Sequence, residues 1–428
     1  MKNLKELFLK EVLQNIKSRE AREFVEKELN YHLQRSRSEW ISKGLSEEAA
    51  EEQAVHHMGN PSELGQQLNK LHRQKVDWML LVLLLAALWM GLLPLLSIQG
   101  DYDFKFNIVG KQAIYILIGM ATALIVMFLD YRKLKKWGWY FLVAGILFLF
   151  ALLLIPNVVI NGAPYIIVFG FTLSPITALP FLFLFWASFL SKRKPKLWLI
   201  ALIYFITTYL LISLLAFPVA MIYSIFLFVL FWGSTIKRKT IYITTLGIGI
   251  IGVIFSILLW AISRPYQKDR LLSFLNPEAD PNGSGYMYLK MKELMTGGGW
   301  FGGEKSALFI PEMSTDFAFA SVTYSYGWII ATLLALVLTL IALRMLFITD
   351  KMIDPFGKQL VTGTIALFSI QFLYHIGMSL GFLPIISMSL PFISYGLTPT
   401  ILNSFLIGIV LSVYLRKDLI SEADSRRV

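Results

Sequence analysis

A polar segment between two long apolar segments contains the residues best suited to chemistry. It runs from Arg264 to Ala320, and Asp316 lies directly before the next apolar run. A carboxylate at such a boundary can accept a proton from a hydroxyl group or hold a divalent ion. Ser314, Thr315 and Asp316 before an apolar run are also typical of an ordinary helix N-cap. The residues alone leave both roles open.

The elements around this segment are predicted membrane spans. The chain has 428 residues, of which 56% are hydrophobic and 16% are charged. A hydrocarbon core of about 30 Å needs about 20 apolar residues per helix, so we predict an all-α polytopic membrane protein with about ten transmembrane helices. They are predicted to start near Trp78, Ala113, Gly138, Ser174, Leu197, Pro218, Ile241, Phe317, Gln359 and Leu397.

The positions of Lys and Arg predict the orientation of these spans. Basic residues fall in every second connection, at 132–136, 192–196, 237–239 and 344–358, and in the tail from Arg416. The exception is the first joint on the other side, where Lys105 and Lys111 accompany two aspartates, but the far more basic prefix outweighs it. Basic residues near span ends are retained in the cytoplasm, so both termini are predicted to be cytoplasmic and the polar loop extracytoplasmic. The net charge of +11 follows from this asymmetry and needs no nucleic-acid partner.

The first 75 residues are dense in charge and have apolar residues at helical spacing, which predicts about three amphipathic helices. Gly44 is predicted to end one helix, Ser46 to cap the next, and Pro61 to begin another. This region is also similar to the short cytoplasmic domains before some bacterial permease-type proteins. We predict a cytoplasmic helical prefix domain at 1–75, a transmembrane domain at 76–416 with a large extracytoplasmic loop at 263–316, and a cytoplasmic tail at 417–428.

Two stretches carry motifs of a known family. The first includes FLNPEADPNGSGY at 274–286 and PEMSTDFAFA at 311–320, and the second is HIGMSLGFLPIISMSLPFISYG at 375–396. These stretches resemble the SEDS family (shape, elongation, division and sporulation), whose FtsW, RodA and SpoVE members polymerise bacterial cell-wall glycan. The resemblance covers residues 78–416 and implies a multi-pass protein of the bacterial plasma membrane.

The resemblance implies a peptidoglycan glycosyltransferase that polymerises a lipid-linked disaccharide precursor, lipid II, at the outer membrane face. Asp316 occupies the position of the family's essential carboxylate and would activate the acceptor hydroxyl directly or through a divalent ion such as Mg or Mn. A single-span class B penicillin-binding transpeptidase is the partner that the resemblance implies. The predicted substrate-binding residues are Arg264, Lys268, Arg270, Glu312, Thr315, His375, Ser394 and Tyr395.

Several of these residues have a second interpretation. Arg264, Lys268 and Arg270 would compensate the charge of a departing lipid diphosphate, or they form a ring of cations at the lipid surface. His375, the single histidine within the predicted spans, either lines a substrate groove or makes a hydrogen bond between helices.

The chain also departs from the family pattern. Residues 162–165 replace the usual GA-x-RW, and Pro180 stands where the family has a lysine. A catalytically silent scaffold or regulator, and a transporter of the lipid precursor, therefore remain alternatives. A transporter needs a polar path, and few ionisable residues lie within the predicted spans. The retention of Asp316 with its PE-x-x-TDF setting favours the polymerase.

Overall fold

The computed structural model describes residues 4–97, 102–160, 163–168, 171–192, 195–262, 268, 272–303 and 312–419. Its chain divides into two compact units. One unit contains Met1–Asp77 together with the chain from Tyr414 onwards, and the other contains Trp78–Val413.

The N-terminal unit consists of four helices, one more than the sequence predicts. They are α1 (Leu4–Gln14), α2 (Arg19–Ser42), α3 (Glu47–His56) and α4 (Pro61–Leu71). The additional break arises because the Ser18 side chain accepts a hydrogen bond from Ala21 N and caps a separate α2. The predicted features at Gly44, Ser46 and Pro61 are confirmed, since Gly44 has φ 92°, Ser46 caps α3 and Pro61 begins α4.

Residues 414–419 are built into this N-terminal unit. Leu419 lies in its hydrophobic core with Val12, Ile16 and Val25. The Arg416 side chain, 1% exposed, donates from Nε to Glu20 Oε2 (2.9 Å) and from Nη2 to Glu20 Oε1 (3.0 Å). Residues 414–419 are therefore part of the prefix fold, and the remainder of the predicted tail lies outside the described residues.

The second unit is a bundle of helices, most of which are apolar. In chain order they are α5 (Trp78–Met90), α6 (Leu93–Leu96), α7 (Tyr102–Phe128), α8 (Tyr131–Leu134), α9 (Gly138–Leu154), α10 (Leu179–Leu190), α11 (Leu197–Ser213), α12 (Phe217–Trp232), α13 (Arg238–Ile262), α14 (Tyr286–Gly297), α15 (Ala318–Thr349), α16 (Pro355–Ser379) and α17 (Leu397–Leu415).

Six segments of the described chain are long and apolar enough to cross a membrane. They are Trp78–Leu96, Asn107–Phe128, Tyr131–Leu154, Ala318–Thr349, Pro355–Ser379 and Leu397–Leu415, and shorter apolar helices lie at Pro175–Leu190, Leu197–Ser213 and Phe217–Trp232. The predicted all-α polytopic membrane fold is confirmed. Several helices begin earlier than predicted, because their polar first turns carry no hydropathy signal.

A small antiparallel sheet lies in the connection between α9 and α10. Its strands are β1 (Val158–Ile160), β2 (Ala163–Val168) and β3 (Phe171–Leu173), in the order β1-β2-β3. Val158 pairs with Tyr165, and Ile167 pairs with Thr172. The Asn157 side chain accepts from Ile167 N and donates to Ile167 O, both at 2.8 Å, which fixes the edge of the sheet.

Candidate functional site

Asp316 lies in the turn that precedes α15 and does not cap that helix. The N-cap position of α15 is Phe317, and no side chain makes a capping hydrogen bond there. The half-buried Asp316 carboxylate instead accepts a hydrogen bond from Ser387 Oγ through Oδ2 (2.5 Å). The capping interpretation of Asp316 is therefore wrong, and its carboxylate faces the chain segment that follows α16.

The turn around Asp316 is held by the preceding glutamate. Thr315 N and Phe317 N both donate to Glu312 O at 3.1 Å, and Thr315 Oγ1 donates to Glu312 Oε2. Glu312 has φ 61°, a left-handed conformation that costs a residue with a side chain about 1–3 kcal/mol. Such strain persists only where surrounding contacts enforce it, so the position of Asp316 is tightly determined.

The second family motif is bonded to this turn through its backbone. Ser394 Oγ donates to Thr315 O (2.6 Å) and accepts from Leu390 N (2.8 Å), while Tyr395 N donates to Ser314 O (2.7 Å). Ser394 is buried, and it contributes by joining the two segments. Four predicted substrate-binding residues therefore surround Asp316, namely Glu312, Thr315, Ser394 and Tyr395.

His375 is hydrogen-bonded to both of these segments, the start of α15 and the chain that follows α16. It is fully buried on α16, and its Nδ1 lies 2.6 Å from Met388 O. Phe319 N, in the first turn of α15, donates to His375 Nε2 (3.4 Å). Nδ1 must then carry the proton that bonds Met388 O. This geometry favours the hydrogen-bonding interpretation, in which His375 positions the site without contacting substrate.

The predicted cations are described only in part. Lys268 is half-buried, and its Nζ lies 5.6 Å from the centroid of the Trp260 ring near the end of α13. This contact is typical of a lysine at a membrane surface. Arg264 and Arg270 lie outside the described residues. The role of these three residues in binding a diphosphate stays a prediction.

Two residues near Asp316 were not predicted from the sequence. Ser387 is an unassigned position within the matched stretch at 375–396, and its partner is far away in sequence. Tyr165 lies on β2, and its pKa is raised by burial and by the charges of Asp316 and Glu312. Its place in the altered GA-x-RW element was the one signal that could have identified it.

Comparison with known proteins identifies the family. The FtsW/RodA/SpoVE family model, described as "Cell cycle protein", matches residues 76–418. The chain belongs to this family.

Relatives and solved structures agree with this membership. Stage V sporulation protein E of Bacillus subtilis is 28% identical over 361 residues, which covers 79% of this chain and 96% of that protein. A probable peptidoglycan glycosyltransferase FtsW of Trichlorobacter lovleyi is 28% identical and covers 74% of this chain and 84% of its own length.

Two solved structures share the fold. One, described as "Structural coordination of polymerization and crosslinking by a peptidoglycan synthase complex", has a TM-score of 0.68 at 22% identity and covers 79% of this chain and 97% of its own. RodA of Thermus thermophilus has a TM-score of 0.58 at 19% identity and covers 81% of this chain and 98% of its own.

The electrostatics of this FtsW/RodA/SpoVE family member suit a proton acceptor. Burial raises the pKa of Asp316, the hydrogen bond from Ser387 partly offsets that rise, and the neighbouring Glu312 charge adds to it. A carboxylate with a raised pKa is a stronger base than a solvated one. Burial and the neighbouring Tyr115 raise the pKa of Tyr395 to about 12, so its hydroxyl remains protonated.

Ser387→Ala is expected to move the acidic limb of the pH–rate profile to higher pH. The bond from Ser387 Oγ stabilises the charged carboxylate, so its loss raises the pKa of Asp316 further. Asp316 is then protonated at a pH where it is ionised in the unmodified protein, and the rate falls there if Asp316 is the proton acceptor. The measurement is the pH dependence of kcat/KM for polymerisation.

Ser213→Ala is the matched control, because its hydroxyl is bonded within its own helix to Tyr209 O. Its profile should not move. An unchanged limb in Ser387→Ala would mean that another group controls the acidic side of the profile.

Proposed function

We propose that this chain is a peptidoglycan glycosyltransferase that polymerises a lipid-linked disaccharide precursor, lipid II, outside the membrane. The observation that carries the proposal is the environment of Asp316. Its carboxylate is half-buried and lies where the two family motifs meet. It accepts a hydrogen bond from Ser387 and makes no capping hydrogen bond to α15. The names of the relatives, which include probable peptidoglycan glycosyltransferase FtsW, support the same chemistry.

In the proposed reaction Asp316 accepts the proton of the acceptor sugar hydroxyl. The acceptor oxygen attacks the anomeric carbon of the donor sugar, a new glycosidic bond forms, and the bond from that carbon to the lipid diphosphate breaks. The diphosphate leaves with the bonding electron pair. Arg264, Lys268 and Arg270 are proposed to compensate its negative charge.

A divalent cation such as Mg or Mn is a further part of the proposal. Glu312 is close enough to Asp316 for its charge to raise the pKa of Asp316. Mg²⁺ is commonly held by one or two carboxylates together with substrate phosphates. When bound, the ion would neutralise the diphosphate.

The proposed partner is a single-span class B penicillin-binding transpeptidase in the plasma membrane. The similar solved structure is described as a peptidoglycan synthase complex that coordinates polymerisation and crosslinking. A polymerase that makes uncrosslinked strands needs such a second activity. Copurification of a transpeptidase with this chain from native membranes is the expected result.

Reconstitution tests the proposed activity. The purified protein in liposomes with lipid-linked disaccharide and Mg or Mn should form glycan polymer, and Asp316→Ala should form none. If a folded, unmodified protein forms no polymer with any of these components, the chain is a scaffold or regulator of cell-wall synthesis.

The proposed orientation has both termini in the cytoplasm and the loop of residues 263–316 outside. The chain has no cysteine, so single cysteines report sidedness without background. An impermeant thiol reagent should label Asn282→Cys in intact cells and should label Arg238→Cys only after the membrane is opened. Labelling at position 238 in intact cells would show that the proposed orientation is wrong. Lys194, a further predicted cytoplasmic position, lies outside the described residues.

A further inference from the structure

Two large aromatic side chains are exposed at the tip of the loop after α14. Trp300 and Phe301 have exposed fractions of 72% and 86%. They lie on a well-bonded turn, in which Gly302 N donates to Gly298 O (2.9 Å) and Gly303 N donates to Tyr324 O (2.7 Å). Exposed apolar patches can mark a surface that contacts a partner or a membrane.

The tip is docked into a break in α15. Gly327 interrupts the helix with φ 80° and ψ 173°. The backbone groups that the break leaves free are satisfied by the tip, since Trp328 N donates to Gly299 O (3.0 Å) and Ile329 N donates to Trp300 O (3.4 Å). A Cβ at Gly327 would lie 2.2 Å from Trp300 O, so only glycine allows this approach. The tip therefore has a fixed height along α15.

The length of α15 gives that height. From Trp328 to Thr349 the helix measures about 33 Å at 1.5 Å per residue, close to the thickness of about 30 Å of a hydrocarbon core. Thr349 is followed by Lys351 and the basic connection before α16. If that end lies at one membrane surface, Trp328 and the tip lie at the opposite surface.

The first span gives a second estimate of the height, about 10 Å lower. Tyr326 Oη donates to Leu93 O (3.2 Å), and Ser321 Oγ lies 3.3 Å from Ser97 Oγ. The order of these two contacts shows that the first span and α15 are antiparallel. Trp78 and Thr349 therefore lie at the same surface. The rise from Trp78 to Leu93 is about 23 Å at 1.5 Å per residue. Leu93 lies about one turn before the end of its span, Trp78–Leu96. The two estimates fall on either side of the hydrocarbon thickness of about 30 Å, which places the tip near the boundary between hydrocarbon and headgroups.

We propose that Trp300 and Phe301 insert into the lipid bilayer at this boundary and anchor the loop to it. Tryptophan and phenylalanine suit this location, because an aromatic ring buries apolar area and the indole N–H can bond to the wet headgroup layer. The occupant of the surface is thus lipid, since the tip lies at the level where lipid surrounds the span.

The anchor would set the depth of the candidate site. Trp328 Nε1 donates to Met295 O (3.1 Å), which ties α14 to the same level. Tyr288 on α14 accepts from Ile385 N (3.1 Å), two residues before Ser387. Lipid contact at the tip is therefore linked by two hydrogen bonds to the segment that holds Asp316.

Collision measurements on spin-labelled single cysteines test the anchor without any need for enzymatic activity. Phe301→Cys and Trp300→Cys are labelled in the protein alone in lipid nanodiscs, and oxygen, which concentrates in lipid, is compared with a water-soluble nickel chelate. Leu343→Cys, an exposed position within α15, is the lipid reference. Glu278→Cys, whose parent side chain is 75% exposed on the loop, is the water reference.

The proposal expects both tip labels to shift toward the Leu343 reference, with oxygen collisions raised and nickel collisions lost. Collisions like those at position 278 would overturn it, because the tip would then be in water. Protection from both reagents would also overturn it, because a protein surface would cover the tip. Phe301 is the more exposed residue, so its variant carries the test if Trp300→Cys does not fold.

Discussion

Asp316→Asn is expected to leave the protein folded and to lower the polymerisation rate by about 10²- to 10⁴-fold, the usual effect of removing a general base. The amide has nearly the same shape as the carboxylate, and its oxygen can still accept the bond from Ser387 Oγ. It cannot accept a proton from a sugar hydroxyl. Because Asp316 does not cap α15, no capping interaction is lost with the charge.

Asp280→Asn is the matched control for this substitution. Asp280 belongs to the same loop, and its carboxylate accepts from Ser284 N (2.9 Å) in a local turn. Its amide keeps that turn, so the rate should change little. Equal losses in the two variants would mean that the loop needs negative charge in general, and that Asp316 has no special role.

Gly91→Ala is expected to lower the polymerisation rate by about 10²-fold, the cost of misplacing a reacting group by about 1 Å. Gly91 lies at the end of α5, and a Cβ there would be 2.3 Å from Phe392 O. Phe392 already has φ 65° and has little freedom to move. Its displacement would carry Ser394 and Tyr395 away from the turn that holds Asp316.

Gly247→Ala separates this effect from a general change in helix stability. Gly247 is also within the membrane unit, and a Cβ there would meet nothing within 4 Å. An added methyl group at such a position favours the helix. Rates and thermal unfolding of both variants are measured in the same detergent. A normal rate in folded Gly91→Ala would show that the contact with Phe392 does not position the site.

Local signals in the sequence predicted local features well. Ser46 and Pro61 mark helix starts because capping and the fixed φ of proline act over three or four residues. The apolar blocks predicted the spans because this signal is also local: each helix crosses the bilayer within one continuous stretch of sequence. The family motifs predicted which turn contains the candidate carboxylate.

Features that depend on distant contacts were missed or misread. Asp316 was open to interpretation as a cap because its partner Ser387 lies on another segment, which no local pattern connects to it. The strands at 158–173 have no charged residues and read as a plain connection, although pairing and Asn157 order them. Gly327 lies within an apolar run, and its break depends on the approach of Trp300.

The most direct test of the account is glycan formation by the reconstituted protein in the absence of any other polymerase. Labelled lipid-linked disaccharide and a divalent cation are supplied, and the products of unmodified protein, Asp316→Asn and Asp280→Asn are resolved by length. The account predicts a polymer ladder from the unmodified protein and Asp280→Asn, and none from Asp316→Asn. A ladder of equal strength from Asp316→Asn, or no ladder from the unmodified protein, would contradict it.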